Sequence, residues 1–313
     1  MTGFAAKGIQ GSSIFSLNTI NENRGVSFAG GGDDGICTIP NMIGRYNPHI
    51  LGPSRGDHIV EYCGDHPELD NLNAAQSGAL AKNLDHQLDY LLPAIKSYPG
   101  IDLDNDWKLI NVLIGYVDSC DSCVLDIYSG NNTELYESYV DKALERIRAS
   151  IPRVLVNLIG ISNVGDIISR TANQKYCQPF PFTSVQVNRY LCLCTHHDDY
   201  HQGLASVVEQ INDKLHGLSE KYNALNDESF AVMYSPSPVN FSSFPLEAIS
   251  QLIRAFLSDI DCFHPSTKGH EWSARATWKG MFLPKDERPN VLNWDDIDMD
   301  QVYCPTELDR FQV

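Results

Sequence analysis

The 313 residues include 23 Lys plus Arg against 40 Asp plus Glu, a formal charge of −17. Hydrophobic residues make up 42% and charged residues 20%, the composition of a globular chain with a sizeable core, which excludes disorder throughout. The negative field repels phosphate backbones and anionic surfaces, so stable nucleic-acid binding is disfavoured, although brief lipid contact through an apolar rim is compatible with it.

In chain order, Thr2 to Gly8 is loop-like and no strand precedes it. Leu80, Leu84, Leu88, Leu91 and Ile95 then form the stripe of an amphipathic helix, entered from a strand-like approach through Leu72–Gly78. The apolar run from Lys108 to Gly115 suits a buried parallel strand. A helix is expected from Glu134 to Ile151, with Leu135, Tyr139, Ala143, Leu144 and Ile147 on its inner face, and Pro152 stops it. A strand at Val154–Gly160 follows, then a helix from Leu204 to Tyr222 and a strand at Phe230–Tyr234. The last helix runs from about Lys268 to Phe282, capped by Ser266 or Thr267, with Trp272, Trp278 and Phe282 as core anchors. Strand and helix in turn imply a parallel sheet covered on both faces. Without repeats or a long linker, residues 1–313 are expected to form one domain. Doubly wound sheets open on an apolar strand that carries the first functional loop, and the segment before Gly8 supplies none.

No apolar run approaches the roughly 18–20 residues that span a bilayer. Met1-Thr2-Gly3-Phe4 has neither the basic start nor the apolar core of a signal peptide. Nine cysteines (Cys37, Cys63, Cys120, Cys123, Cys177, Cys192, Cys194, Cys262 and Cys304) nevertheless read as a disulfide set with one left over. Asn131-Asn132-Thr133 and Asn240-Phe241-Ser242 are glycosylation acceptor patterns. Both features point to the secretory pathway or the extracellular space.

Five groups of residues could carry chemistry. Asp261, three residues before His264, can accept the Nδ1 proton and hold the imidazole as a general base; its place after the last strand suits a site at strand carboxyl ends. Ser77-Gly78 precedes a helix, where backbone N–H groups can stabilise an oxyanion, although a glycine needed only for the turn fits the spacing as well. Asp118 is either a functional carboxylate or the cap of the segment after it. Cys120 and Cys123 have C-x-x-C spacing, for which a local disulfide is the favoured reading over a redox or zinc site. His196, His197, Asp198, Asp199 and His201 are the most metal-like group, but a hydrated polar loop is the favoured reading, so no metal is assigned.

Together the blocks resemble the phospholipase B-like branch of the GDSL, or SGNH, hydrolases. The resemblance rests on Arg24–Asp33 with Thr38–Asn41, Leu72–Ala79, Asp106–Cys123, Pro152–Leu158 and Asp261–His264, in that order over nearly the whole chain. It implies a three-layer α/β/α, flavodoxin-like fold with a mostly parallel sheet whose first strand is missing here. It implies hydrolysis of carboxylic esters of lipids or phospholipids by a serine in a Gly-Asp-Ser loop. His264 would be the general base, Asp261 would orient it, and Gly78 would supply an oxyanion N–H. No metal or cofactor is implied.

Two departures accompany the match. Thr2-Gly3-Phe4 fits the residues just after the Gly-Asp-Ser loop, so the nucleophilic serine is expected beyond Met1; Ser12 and Ser13 are poor substitutes. Gly115-Tyr116-Val117-Asp118 places Val117 at the oxyanion asparagine, and valine cannot donate a hydrogen bond. The chain as it stands is therefore expected to be inactive. Rival readings are an inactive binding or surface protein on the same fold, and an esterase acting on non-lipid esters.

Overall fold

The computed structural model describes residues 1–8, 20–61, 64–123, 131–171, 187–195, 200–244, 256–298 and 300–313. Five strands are described: β1 (Asn21–Glu22), β2 (His58–Ile59), β3 (Lys108–Val112), β4 (Val154–Ile159) and β5 (Phe230–Ser235). The helices are α1 (Ile39–Gly44), α2 (Pro67–Asp70), α3 (Leu84–Ser97), α4 (Tyr116–Cys120), α5 (Asn131–Ser150), α6 (Gly165–Thr171), α7 (Val187–Tyr190), α8 (Tyr200–Asn223) and α9 (Thr267–Phe282).

β3, β4 and β5 form a parallel sheet in that order, with Val154 opposite both Lys108 and Phe230. Alternation along the strands builds two cores. Val154, Val156 and Leu158, with Val232 and Tyr234, pack among Leu88, Leu144 and Ile211 from α3, α5 and α8. Ile159 and Met233 face the other way, against Ile39 and Met42 of α1 and Ala274, Trp278 and Met281 of α9. Each fully buried side chain of this kind contributes about 1.5–3 kcal/mol. The result is the three-layer α/β/α arrangement expected. The side of β3 facing away from β4 has no strand partner among the described residues.

Local chemistry sets several boundaries. Thr38 caps α1 by accepting the Asn41 N–H at 3.2 Å. Of the two hydroxyls proposed to cap the last helix, Ser266 does so, through the Gly269 N–H at 3.2 Å. Trp272 and Trp278 are buried as anchors.

Three details differ from the sequence reading. The inner face of α5 is Tyr136, Val140, Ala143, Leu144 and Ile147, whereas Leu135 and Tyr139 are 50% and 38% exposed. Spacings of three and four fit both stripes through Ala143, and packing against α3 and α8 selects the second. No strand enters α3, because residues 71–80 run as loop and turn. Cys120 and Cys123 do not pair with each other: the disulfides are Cys120–Cys192 and Cys123–Cys194, with Cα separations of 4.6 and 5.4 Å. Cys120 at the end of α4 and Cys123 in the turn after it both face the Cys192–Cys194 segment, and the Cys123 N–H reaches Cys194 Sγ at 2.9 Å. Cys262 is also disulfide-bonded, Cys37 and Cys304 are free thiols, and Cys63 and Cys177 lie outside the described residues.

Candidate active site

The turn that carries His264 is built around the Asp261 carboxylate. Asp261 Oδ1 accepts the N–H groups of Phe263 and His264 at 2.9 and 3.0 Å, which fixes the three-residue step. Asp261 Oδ2 then lies 2.6 Å from His264 Nδ1. The Asp261 side chain is buried, while the imidazole is 33% exposed. Closing this turn forces Cys262 to φ +54°, a region that costs a non-glycine residue about 1–3 kcal/mol. Phe4 packs edge-on against the imidazole at 4.8 Å. His264 Nε2 accepts or donates no hydrogen bond among the described residues.

His264 borders an apolar cavity of about 970 Å³ at the carboxyl edge of the sheet, which Gly78, Val117 and Thr2 also line. The cavity continues along the open side of β3, past Leu109 and Ile110, to Leu88 and Leu144 on the helical layer. Gly78 has φ +74°, and its N–H has no partner among the described residues. Ser77 Oγ is 2.9 Å from Thr2 Oγ1. The structure thus brings three of the four expected positions, His264, Gly78 and Val117, to one cavity, and places Asp261 behind His264. The Val117 side chain carries no hydrogen-bond donor.

Asp118, left open between a functional and a capping role, turns back from the cavity to accept the Ala81 N–H with both oxygens, at 3.2 and 3.1 Å. This ties the start of α4 to the turn after Gly78. Burial pushes the Asp118 carboxyl up to about 6, against a smaller lowering by the Ala81 N–H.

Two neighbours were not apparent from sequence. His270 on α9 lines the cavity, and its Nδ1 accepts the Phe28 N–H at 3.4 Å. Burial pushes it down to about 3. A histidine on the buried stripe with Ala274 and Met281 was the available signal. Met1 is the second: its carbonyl accepts from Ser27 Oγ at 2.8 Å. No group of three or more His, Cys, Asp or Glu converges as metal ligands among the described residues. His196, His197, Asp198 and Asp199 lie outside them, as do Ser12, Ser13 and the side chain of His201.

The model of the GDSL-like lipase/acylhydrolase family matches residues 25–277. The chain belongs to this family. It is 30% identical over 312 residues to the membrane-associated phospholipase B1 of Rattus norvegicus, covering 98% of this chain and 20% of that protein. The Mus musculus phospholipase B1 is 32% identical over 297 residues, covering 91% and 18%. The Homo sapiens protein is 28% identical over 307 residues, covering 94% and 20%. The chain therefore spans about a fifth of the length of these relatives. Within the family framework the Asp261–His264 pair, Gly78 and the apolar cavity occupy one edge of the sheet. No helix among the described residues is long and apolar enough to cross a membrane.

Proposed function

We propose that this chain is the hydrolase unit of a lipid ester hydrolase, in which His264 is the general base and Asp261 orients it. The observation that carries the reading is the 2.6 Å Asp261–His264 contact at the mouth of an apolar cavity shared with Gly78. A hydroxyl nucleophile would attack the ester carbonyl and pass its proton to His264 Nε2, which would return it to the leaving alcohol. Asp261 would stabilise the imidazolium, and the Gly78 N–H would donate to the oxyanion. Among the described residues no hydroxyl is hydrogen-bonded to His264; the family resemblance is what points to a serine in a Gly-Asp-Ser loop N-terminal to Met1 as the nucleophile. A strand there would fit along the open side of β3. Running parallel to β3, it would deliver its carboxyl end beside Met1 and His264. The disulfides and the membrane-associated relatives support passage through the secretory pathway.

The test is ester turnover by residues 1–313 and by the same chain extended with an apolar strand ending in Gly-Asp-Ser. Activity on lysophospholipid or diacyl phospholipid is expected only in the extended chain and should vanish with His264→Ala. Val117 favours a second reading, a binding protein that keeps the fold without catalysis. Silence of a well-folded extended chain would sink the hydrolase reading and leave this one.

A further inference from the structure

A buried ion cluster lies behind the loop that presents Gly78. Arg24 and Asp70 are each 3% exposed and Glu22 is fully buried. Arg24 Nη2 is 2.8 Å from Glu22 Oε2, and Nε is 3.1 Å from Asp70 Oδ1. Nη1 donates to two backbone carbonyls, Ala75 at 2.6 Å and Asn73 at 3.3 Å. His58 Nε2 completes the cluster at 3.1 Å from Asp70 Oδ1 and 3.8 Å from Glu22 Oε2.

The backbone around Arg24 grips the opposite wall of the site. Asn23 donates its N–H to the Gly3 carbonyl at 3.0 Å, and Ala5 donates to Asn21 at 3.0 Å. Phe4, which packs against His264, bridges to Glu22. A Cβ at Gly3 would lie 2.4 Å from the Asn23 carbonyl oxygen, so these segments are in direct contact. The Arg24 guanidinium thus holds the Asn73 and Ala75 carbonyls while the backbone of the preceding residues 21–23 holds the Gly3–Ala5 segment.

We propose that Arg24 is a positioning residue, holding the Asn73 and Ala75 carbonyls and, through them, the turn that sets Gly78 in the cavity wall. The name for what Gly78 does there rests on the hydrolase reading; the clamp itself does not. Residues 71–80 have no helix or sheet ladder to fix them. A buried ion pair is a poor source of net stability, because desolvation offsets the attraction and apolar residues can replace it without loss. What apolar side chains cannot do is orient two carbonyls. Arginine can, since its rigid fork offers five donors in fixed directions and stays charged. Lysine offers one nitrogen, which cannot meet both carboxylates and both carbonyls.

The test compares hydrogen exchange of residues 1–313 with Arg24→Lys, and with a neutral triple variant, Glu22→Gln, Arg24→Met and Asp70→Asn. The triple variant guards against unfolding by stranded carboxylates. The probes are the amides of Ala75, Ala79 and Leu80, which are hydrogen-bonded to Asn73 Oδ1, the Gln76 carbonyl and Asn83 Oδ1. Both variants should speed exchange at these amides about tenfold or more, with α5 and α8 unchanged, and Arg24→Lys should be the milder. Unchanged exchange at the loop, or a rise shared with α5 and α8, would overturn the proposal. In the extended chain the same variants should lower kcat with KM nearly constant. If the extended chain has no activity, the hydrolase reading fails while the exchange result still decides the clamp.

Discussion

Replacing Asp118 by Asn separates the charge of this carboxyl from its service as an acceptor for the Ala81 N–H. Burial raises the carboxyl from 3.8 to about 6 in the folded state, so the folded chain holds this proton more tightly than the unfolded one. The stability linked to the proton is fully present below pH 3.8 and is lost as the pH rises through 6. At roughly 1.4 kcal/mol per pKa unit, the buried carboxylate costs about 3 kcal/mol once it is ionised. Asparagine keeps an Oδ1 for the Ala81 N–H and never ionises. Asp118→Asn should therefore add up to about 3 kcal/mol near pH 7.5 and almost nothing near pH 4. With about 2 °C per kcal/mol in a domain of this size, the melting temperature should rise by about 6 °C at the higher pH. Thermal unfolding of both proteins followed by circular dichroism across that range is the assay. An equal difference at both pH values would refute the reasoning, because it would assign the effect to packing rather than to charge.

His270→Gln should flatten the acid limb of stability. The folded imidazole is depressed from 6.5 to about 3, so its contribution is present above pH 6.5 and is lost as the pH falls, up to about 5 kcal/mol in all. Melting curves between about pH 4 and 7 with an unchanged slope would count against this. Val117→Asn, made in the N-terminally extended chain, should raise kcat by up to about 10²–10³ with little change in KM, since one oxyanion donor is worth that much. Loss of activity on this substitution would mean that the Val117 position does not face the oxyanion. Replacing Cys120 and Cys192 together by Ala opens a loop closed over 72 residues. The loss should stay well below the roughly 4 kcal/mol that chain entropy assigns to a loop of that length, because Cys123–Cys194 spans 71 residues of nearly the same segment. Denaturant unfolding showing the full loss would argue that the two bridges act independently.

Much of the architecture was legible because the sheet is buried on both faces. Runs such as Val154–Ile159 are apolar but for Asn157, and each is followed by a helix whose stripe is plain. The face of α5 was less legible, since Leu135 and Tyr139 keep helical spacing with Ala143 yet lie half in solvent. The disulfide pairing was hidden for a different reason. Cys120 and Cys123 are neighbours in sequence, but their partners sit 72 and 71 residues away, and no local rule ranks those pairings. The polar ladder within the sheet was equally silent: Asn157 joins Asn111 at 2.9 Å and Ser235 at 2.7 Å across three strands.

The site divides along the same line. Asp261 and His264 lie on one turn, so three-residue spacing exposed them; Arg24 and Ala75 meet only when 51 residues of chain fold back, so nothing local marked the arginine. The division also bears on which reading of function to prefer. The Asp261–His264 turn holds Cys262 at φ +54°, and the loop beside it depends on a buried arginine with two buried carboxylates. Strained backbone and desolvated charge are both costly. A protein that only bound lipid in its apolar cavity would gain nothing from a carboxylate aligned on imidazole Nδ1, because binding apolar chains requires neither a base nor its orientation. On the hydrolase proposal Val117 would remove one donor from the oxyanion side, and it leaves this costly arrangement whole. The aligned carboxylate and imidazole therefore favour the hydrolase proposal over the binding-protein reading.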